Sequence, residues 1–507
     1  MAGVGFELRK LFADRTAVGQ IKAYSYSAVI TAGPFALLTL MVLVVQAFYS
    51  FFDVDESTRE QFVAYIVYAF IFSQVISSGF TMVLTRYIAD CLSVARWNDV
   101  TASMLGMGAI LSIIGGVIVT IYYWGTPLPF LSKILAYLFF ALLMFVWTEG
   151  VYLSAIKRYM RLMLGYAGGM VTSSIMMYVL LKYADDYFSA DQAGLLALVI
   201  GMTVIAIAFL LLVTAHFGLP NGALNFAFLP YFERHYRLFF SSFFHMLGTF
   251  IPNMIIWFGP LGVVAGNSHR YAPVYDILTF YAFLSILPMM MLFVVAVETN
   301  FYEKYSLYFT AVTRKGNFHA IDNARRNLLH TMWFELRHVV EYQLVFTLVW
   351  LALGSYLLNF AGITYAQINM FNVILFGTFF VGILQLIYIL LIYFDYQKDV
   401  MIISLLYVIL NVVLGLVGFE FIGEMSYGFT FFLAAAISCA VGLWRLNHFA
   451  KRINYFVFCS QPVFYRPPNG ILTKFTLWLY GERYVNLELL GTEKEEENER
   501  QAGASKK

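Results

Sequence analysis

From Tyr24 to Asn447 the chain repeats one pattern twelve times, a run of roughly 20 largely apolar residues closed by a polar interruption. A backbone in lipid can hydrogen-bond only to itself, so a run of that length reads as a membrane-spanning helix. Hydrophobic residues make up 61% of the 507 and charged ones 12%, about half the charged share of a soluble domain. The predicted spans are 24–52, 61–85, 101–123, 134–156, 162–181, 193–215, 238–263, 274–297, 342–360, 369–394, 400–419 and 428–447. The fold class that follows is an all-α integral membrane protein, of which the seventh span, interrupted by Pro252 and Pro260, is the least regular member.

Charge placement orients the spans. Of the 32 Lys and Arg, all but Arg59, Lys133, Lys182 and Arg270 fall in one set of alternate loops, a set that includes both ends of the chain. Positive residues are retained on the cytoplasmic side, so both termini are expected there. The first twenty residues carry Glu7, Arg9, Lys10, Asp14 and Arg15 without an apolar run before them, so the first span is expected to serve as its own uncleaved targeting signal.

Several chemistries are excluded. A net charge of +2 gives no basis for nucleic-acid binding. Cys91, Cys439 and Cys459 have neither metal-ligand spacing nor a paired framework, so no metal, disulfide or other cofactor is expected. There is no phosphate-binding glycine loop, hence no ATP hydrolysis by the chain itself. Asp53-Val54-Asp55 has the Asp-x-Asp spacing that can hold a metal and a sugar nucleotide, but it falls on the outer side, away from cytoplasmic sugar nucleotides. His245 has no nearby carboxylate in sequence to work with. An enzyme is therefore not expected.

The spans divide into two sixes. Residues 24–215 form an N-terminal bundle and 238–447 a C-terminal one, separated by the Gly- and Pro-marked linker 216–237. An even number of spans per half makes the two halves enter the membrane in the same direction. Gly33 and Pro34 interrupt the first span, and Pro252 and Pro260 the seventh, its counterpart. Proline removes a backbone donor and clashes one turn back, so these are hinge candidates; packing kinks are the plainer alternative. Residues 1–23 are read as an interfacial amphipathic segment. Residues 298–341 are expected to form a cytoplasmic amphipathic helix, and the tail 448–507 ends in a charged run expected to be disordered. Arg314, Lys315, Arg325, Arg326 and Trp333 in that loop suit either a cytoplasmic partner or anionic lipid.

The opening "MAGVGFELRKLF", the first span with Gly33-Pro34-Phe35, the segment "SSGFTMVLTRYIAD" from Ser77 to Asp90 and the twelve-span layout together resemble the PelG family, the membrane transport proteins of Pel exopolysaccharide biosynthesis. The resemblance covers essentially the whole chain and implies the multidrug, oligosaccharidyl-lipid and polysaccharide exporter superfamily, with two six-helix bundles around a central cavity. It implies export of a growing, hexosamine-rich polysaccharide across a bacterial inner membrane, with a cytoplasmic glycosyltransferase and further inner-membrane Pel-type subunits as partners. Flipping of a lipid-linked oligosaccharide or another amphiphile by the same fold is the alternative. Cation-driven members of the superfamily carry a carboxylate among their membrane helices, whereas the first span here has none, so no dedicated cation site is expected in it.

A neutral sugar chain needs many modest hydrogen bonds and no deep well, because each site must also release. The substrate-path candidates are Tyr24, Tyr26, Gln74, Ser77, Arg86, Glu149, Asn253, Asp276, Asn372 and Gln385. Charges inside spans are costly and usually face a cavity or a partner, and Arg86 and Glu149 fall at similar depth, so an ion pair between them is one reading. The plainer readings are an Arg86 that snorkels to the interface and hydroxyls that bond their own helix. Aromatic residues are 18% of the chain; some could stack on sugar rings, while most are expected to face lipid or pack between helices.

Overall fold

The computed structural model describes residues 16–156, 159–184, 186–220, 224–266, 268–313, 316–360, 364–421, 423–459, 469–481 and 483–484. Twelve helical segments among them are long and apolar enough to cross a membrane, matching the predicted number. The first six are α1 (Ala17–Phe51), α2 (Glu56–Ser93), α3 (Trp97–Tyr123), α4 (Phe130–Ile156), α5 (Tyr159–Tyr183) and α6 (Ala190–Phe217). A short α7 (Leu229–Arg234) leads into α8 (Tyr236–Trp257), followed by a hairpin of β1 (Val263–Ala265) and β2 (His269–Tyr271). The eighth span is composite, made of α9 (Pro273–Leu284), α10 (Leu287–Ala296), a π turn (Val297–Phe301) and α11 (Tyr302–Thr313). Next come α12 (Phe318–Phe360), α13 (Tyr365–Tyr393), α14 (Gln397–Phe421) and α15 (Phe429–Lys451), and then α16 (Ile453–Cys459) and α17 (Ile471–Tyr480).

These helices form two compact units. Of the described residues, one contains those within 38–246, 265–269 and 469–484; the other contains those within 16–37, 247–264 and 270–459. In the first, α5 and α6 pack closely because glycines face each other. A Cβ on Gly169 would lie 2.7 Å from the Gly201 carbonyl, and one on Gly201 would lie 2.8 Å from that of Gly169. Small residues let membrane helices approach until backbone meets backbone, since apolar burial cannot drive their association in lipid. Tyr49, Phe62, Phe139 and Phe209 are among the fully buried large side chains of this unit, as Trp257, Tyr275, Tyr308 and Tyr407 are of the other.

The Asp-x-Asp motif has a structural use. Asp55 is the N-cap of α2, accepting from the Thr58 amide at 3.0 Å and from the Ser57 and Thr58 hydroxyls at 2.6 and 2.8 Å. Those donors hold its carboxyl below the usual carboxylate range. Asp53 sits in a left-handed turn at φ 51°, where a short polar side chain is tolerated.

Three expectations about element boundaries are corrected. The seventh span ends at Trp257, with a β-hairpin occupying part of the predicted remainder, and Pro260 lies in the turn beyond it. Pro260 therefore terminates the helix instead of bending it, whereas Pro34 and Pro252 do lie inside helices. The loop 298–341 is not a separate surface helix: residues 302–313 and 318–341 extend the eighth and ninth spans, and α12 alone has 43 residues. At 1.5 Å per residue that is about 65 Å, twice the ~30 Å hydrocarbon core, so its first half projects beyond the bilayer. The amino-terminal segment 1–15 and most of the tail lie outside the described residues.

The eighth span shows how a break is repaired. Pro288, in the first turn of α10, cannot donate to the preceding turn, and the helix is interrupted at Ser285-Ile286. The Ser285 carbonyl is met by the Nε2 of the buried Gln343 on α12, at 3.1 Å. A neighbouring helix thus supplies a donor to a carbonyl at the break, as the bilayer interior requires.

Candidate functional site

Two sequence candidates meet in the second unit. Asn253 and Trp257 stand one turn apart on α8, just after Pro252, and both point at Asp276 in the first turn of α9. Asn253 Nδ2 donates to Asp276 Oδ1 at 2.7 Å, Trp257 Nε1 to Oδ2 at 3.0 Å, and the Ala272 amide to Oδ2 at 3.1 Å. The carboxylate is held by neutral donors and by the N-terminal end of a helix, where negative charge is favoured. The arrangement ties the C-terminal end of α8 to the start of α9. One turn before Pro252, Gly248 leaves room for the Tyr407 ring of α14; a Cβ there would lie 2.5 Å from Tyr407 Cδ1. Trp257 was not anticipated, because nothing in sequence links it to an aspartate beyond the hairpin.

Glu149 is the opposite case in the first unit. Its side chain is fully buried on α4, and neither carboxylate oxygen has a hydrogen-bond partner among the described residues. The polar side chains nearest to it in sequence are spent elsewhere: Trp147 Nε1 donates to Ser73 Oγ at 3.1 Å, and the Tyr152 and Ser103 hydroxyls meet at 3.0 Å. The ion pair between Arg86 and Glu149, one of the two readings from sequence, is not formed, and Arg86 is exposed as the plainer reading has it. Arg86 instead pairs with Asp90 one turn on, at 3.6 Å on the exposed face of α2. A buried carboxyl with no partner costs stability, so packing alone does not account for it.

The remaining path candidates fall into two groups. Ser77 is buried and gives its hydroxyl to the Ser73 carbonyl at 2.6 Å, the plainer reading for a helical serine. Tyr26, Gln74, Asn372 and Gln385 are half-buried, and Asn372 Oδ1 has no hydrogen-bond partner among the described residues. The Tyr24 side chain lies outside the described residues, as do Arg314 and Lys315. Arg325 and Arg326 both engage Asp322 on α12, each at 2.6 Å, and Trp333 is half-buried two turns along.

A site that sequence reading missed lies at the hairpin tip, residues 265–269, which belongs to the first unit. His269 is fully buried, with Nε2 3.0 Å from the Tyr123 hydroxyl and Nδ1 2.7 Å from Ser268 Oγ. The rings of Tyr65, Tyr68, Tyr122 and Tyr123 surround it at 4.9 to 5.7 Å. Gly266 turns at φ 53°, and a Cβ there would collide with the Gln61 amide. Burial pushes the imidazole down to about 4. The unfolded chain takes up a proton near pH 6.5 that the native cage refuses, so stability is full above that pH and falls as pH drops toward 4. Thermal unfolding of the purified protein should show a loss approaching roughly 3 kcal/mol across that window. His269→Gln should flatten the dependence; an unchanged profile in that variant would assign it to other groups.

The chain has known relatives in family and in fold. A model of the family described as "PelG: Putative exopolysaccharide Exporter (EPS-E)" matches residues 1–458. Among solved structures, the Vibrio cholerae MATE transporter VcmN in its bent form is similar with a TM-score of 0.57, at 11% identity, over 90% of this chain and 100% of that one. A MATE structure in the bent conformation gives a TM-score of 0.53 at 12% identity, over 85% of this chain and 96% of the other. At such identities the likeness is one of fold, and it is the exporter-type architecture expected from the sequence. A search of curated proteins gives no match.

Proposed function

Because the chain belongs to the PelG family of exopolysaccharide exporters, and is a multi-pass membrane protein with a transporter fold, we propose that it carries a growing, hexosamine-rich polysaccharide from cytoplasm to periplasm across a bacterial inner membrane. Both termini face the cytoplasm in this reading, as the distribution of Lys and Arg supports. A cytoplasmic glycosyltransferase and other inner-membrane Pel-type subunits are its partners. The observation that carries the proposal is the family match over residues 1–458 on a twelve-span fold.

Gln74, Asn372 and Gln385 are proposed path residues, since their half-buried amides can make and release hydrogen bonds to sugar hydroxyls. Pro34 and Pro252 are proposed hinges, each inside a helix that must bend locally where the ladder is broken. Chain growth by the glycosyltransferase supplies the push, without a dedicated cation site in α1. Arg325, Arg326 and Trp333, on the projecting part of α12, are proposed to meet a cytoplasmic partner.

Isolation of the full chain in native lipid particles, with identification of co-purifying proteins, tests the reading. A glycosyltransferase in stoichiometric amount is expected. Export by the chain alone in vesicles, driven by a sodium or proton gradient, would overturn it and favour flipping of a lipid-linked oligosaccharide.

A further inference from the structure

The ten-residue α17 is built inside out. Its buried face holds Thr473 and Thr476, while Ile471, Phe475, Trp478 and Leu479 are exposed, Ile471 by 84% and Trp478 by 79%. Ile471, Phe475, Trp478 and Leu479, spaced i, i+4, i+7 and i+8, share one stripe, and the other exposed apolar side chain of the helix, Leu477 at 38%, lies off it. A helix that packs threonines inward and leaves isoleucine, phenylalanine and tryptophan outward is not placed by the hydrophobic effect of its own domain.

What places it is a clasp. Glu233, on α7, accepts from the Gly470 amide at 3.0 Å, from the Leu472 amide and from the Thr473 hydroxyl at 2.6 Å, so one carboxylate caps the start of α17. At the other end the Phe226 amide donates to the Tyr480 hydroxyl at 3.2 Å, and Tyr480 packs on the small cluster of Leu224, Ala227 and Tyr484. Glu233 is three residues from the start of α8, so α17 is fastened where a membrane span begins. Parity agrees, because α7 follows the sixth span and α17 the twelfth, which brings both out on one membrane face. Tyr236 and Phe240, at the start of α8, are exposed as well.

We infer that α17 lies in the headgroup layer of the bilayer, with Ile471, Phe475, Trp478 and Leu479 in lipid and Glu233 as the clasp that sets its depth. Tryptophan is suited to that layer, where one end of the side chain is wet and the other apolar. Exposed basic residues flank the helix, Lys474 and Arg483 on its own segment and Arg234 and Arg237 beside Glu233, and they match anionic headgroups. This assignment depends on the spans and not on the cargo.

Nitroxide labels at Phe475→Cys, Trp478→Cys and Lys474→Cys, in full-length protein with its three cysteines replaced by serine, test the inference in vesicles of phosphatidylethanolamine and phosphatidylglycerol. At 475 and 478, collisions with oxygen should exceed those with a water-soluble nickel chelate several-fold relative to the ratio at 474. Glu233→Ala should lower the ratio at 478. Equal access of the chelate to all three positions would show a solvated helix, and exclusion of both quenchers would show a protein cover; either overturns the inference. The unsubstituted protein offers a second reading, since a photoactivatable phospholipid should cross-link within residues 471–480, and absence of such adducts would count against it.

Discussion

Replacing Glu149 by glutamine should lower polymer export roughly tenfold or more, the effect of ~1.4 kcal/mol on a limiting barrier, while the amount of folded protein stays unchanged. Glutamine keeps the volume and hydrogen-bonding reach of the side chain and removes only its ability to carry charge. The position is fully buried and both oxygens lack a partner among the described residues, so the native state gains nothing from a carboxyl there. A group that costs stability in the state described is explained if another state of the transport cycle uses it, as intramembrane ionisable residues commonly are used. Glu149→Leu separates the two roles: it should unfold at the same temperature as the parent or higher, because apolar replacement of a poorly partnered buried ionisable group is often neutral or stabilising. Normal secretion by the glutamine variant would return Glu149 to a packing role, and marked destabilisation by leucine would reveal a partner.

The second large effect is expected at Asp276, for the reverse reason. Its carboxylate satisfies Asn253, Trp257 and the Ala272 amide at once, so Asp276→Ala orphans three donors within a buried region. Stranding hydrogen-bonded groups in this way costs about 3–5 kcal/mol in buried networks, and thermal unfolding in detergent should fall accordingly. Asn253→Ala removes one donor and should cost about 1–2 kcal/mol. The double variant should be less destabilised than the sum, with a coupling on the order of 1 kcal/mol between contacting residues. Additivity would mean that Asn253 and Asp276 do not act together, and a stable Asp276→Ala would remove the network from any account of how the end of α8 is held.

Glu149 and Asp276 show why the site was only half legible. Both are rare charges within spans, a signal that sequence carries well because insertion of a charge is expensive wherever it sits. Their partners were not legible. Arg86 matched Glu149 in depth but faces away from it, pairing with Asp90 on an exposed surface. Trp257 and Gln343 gave no signal, since one reads as an interfacial aromatic and the other as a polar residue near a helix end. The link between Gln343 and the break at Ser285 is not legible either, because it exists only when both helices are in place.

The sequence by itself determined the solvent, the number of spans and the family, because apolar length, charge placement and short motifs are local properties that the bilayer reads one segment at a time. It also held Pro34 and Pro252, the proposed hinges, whose effect on a helix follows from covalent geometry. Tertiary structure alone decided that Asn253 and Trp257 converge on Asp276, that His269 sits in a tyrosine cage and that Glu233 clasps α17. A span that is apolar on every side has no preferred face in its own sequence, so its rotation and its partners are settled by packing against neighbours.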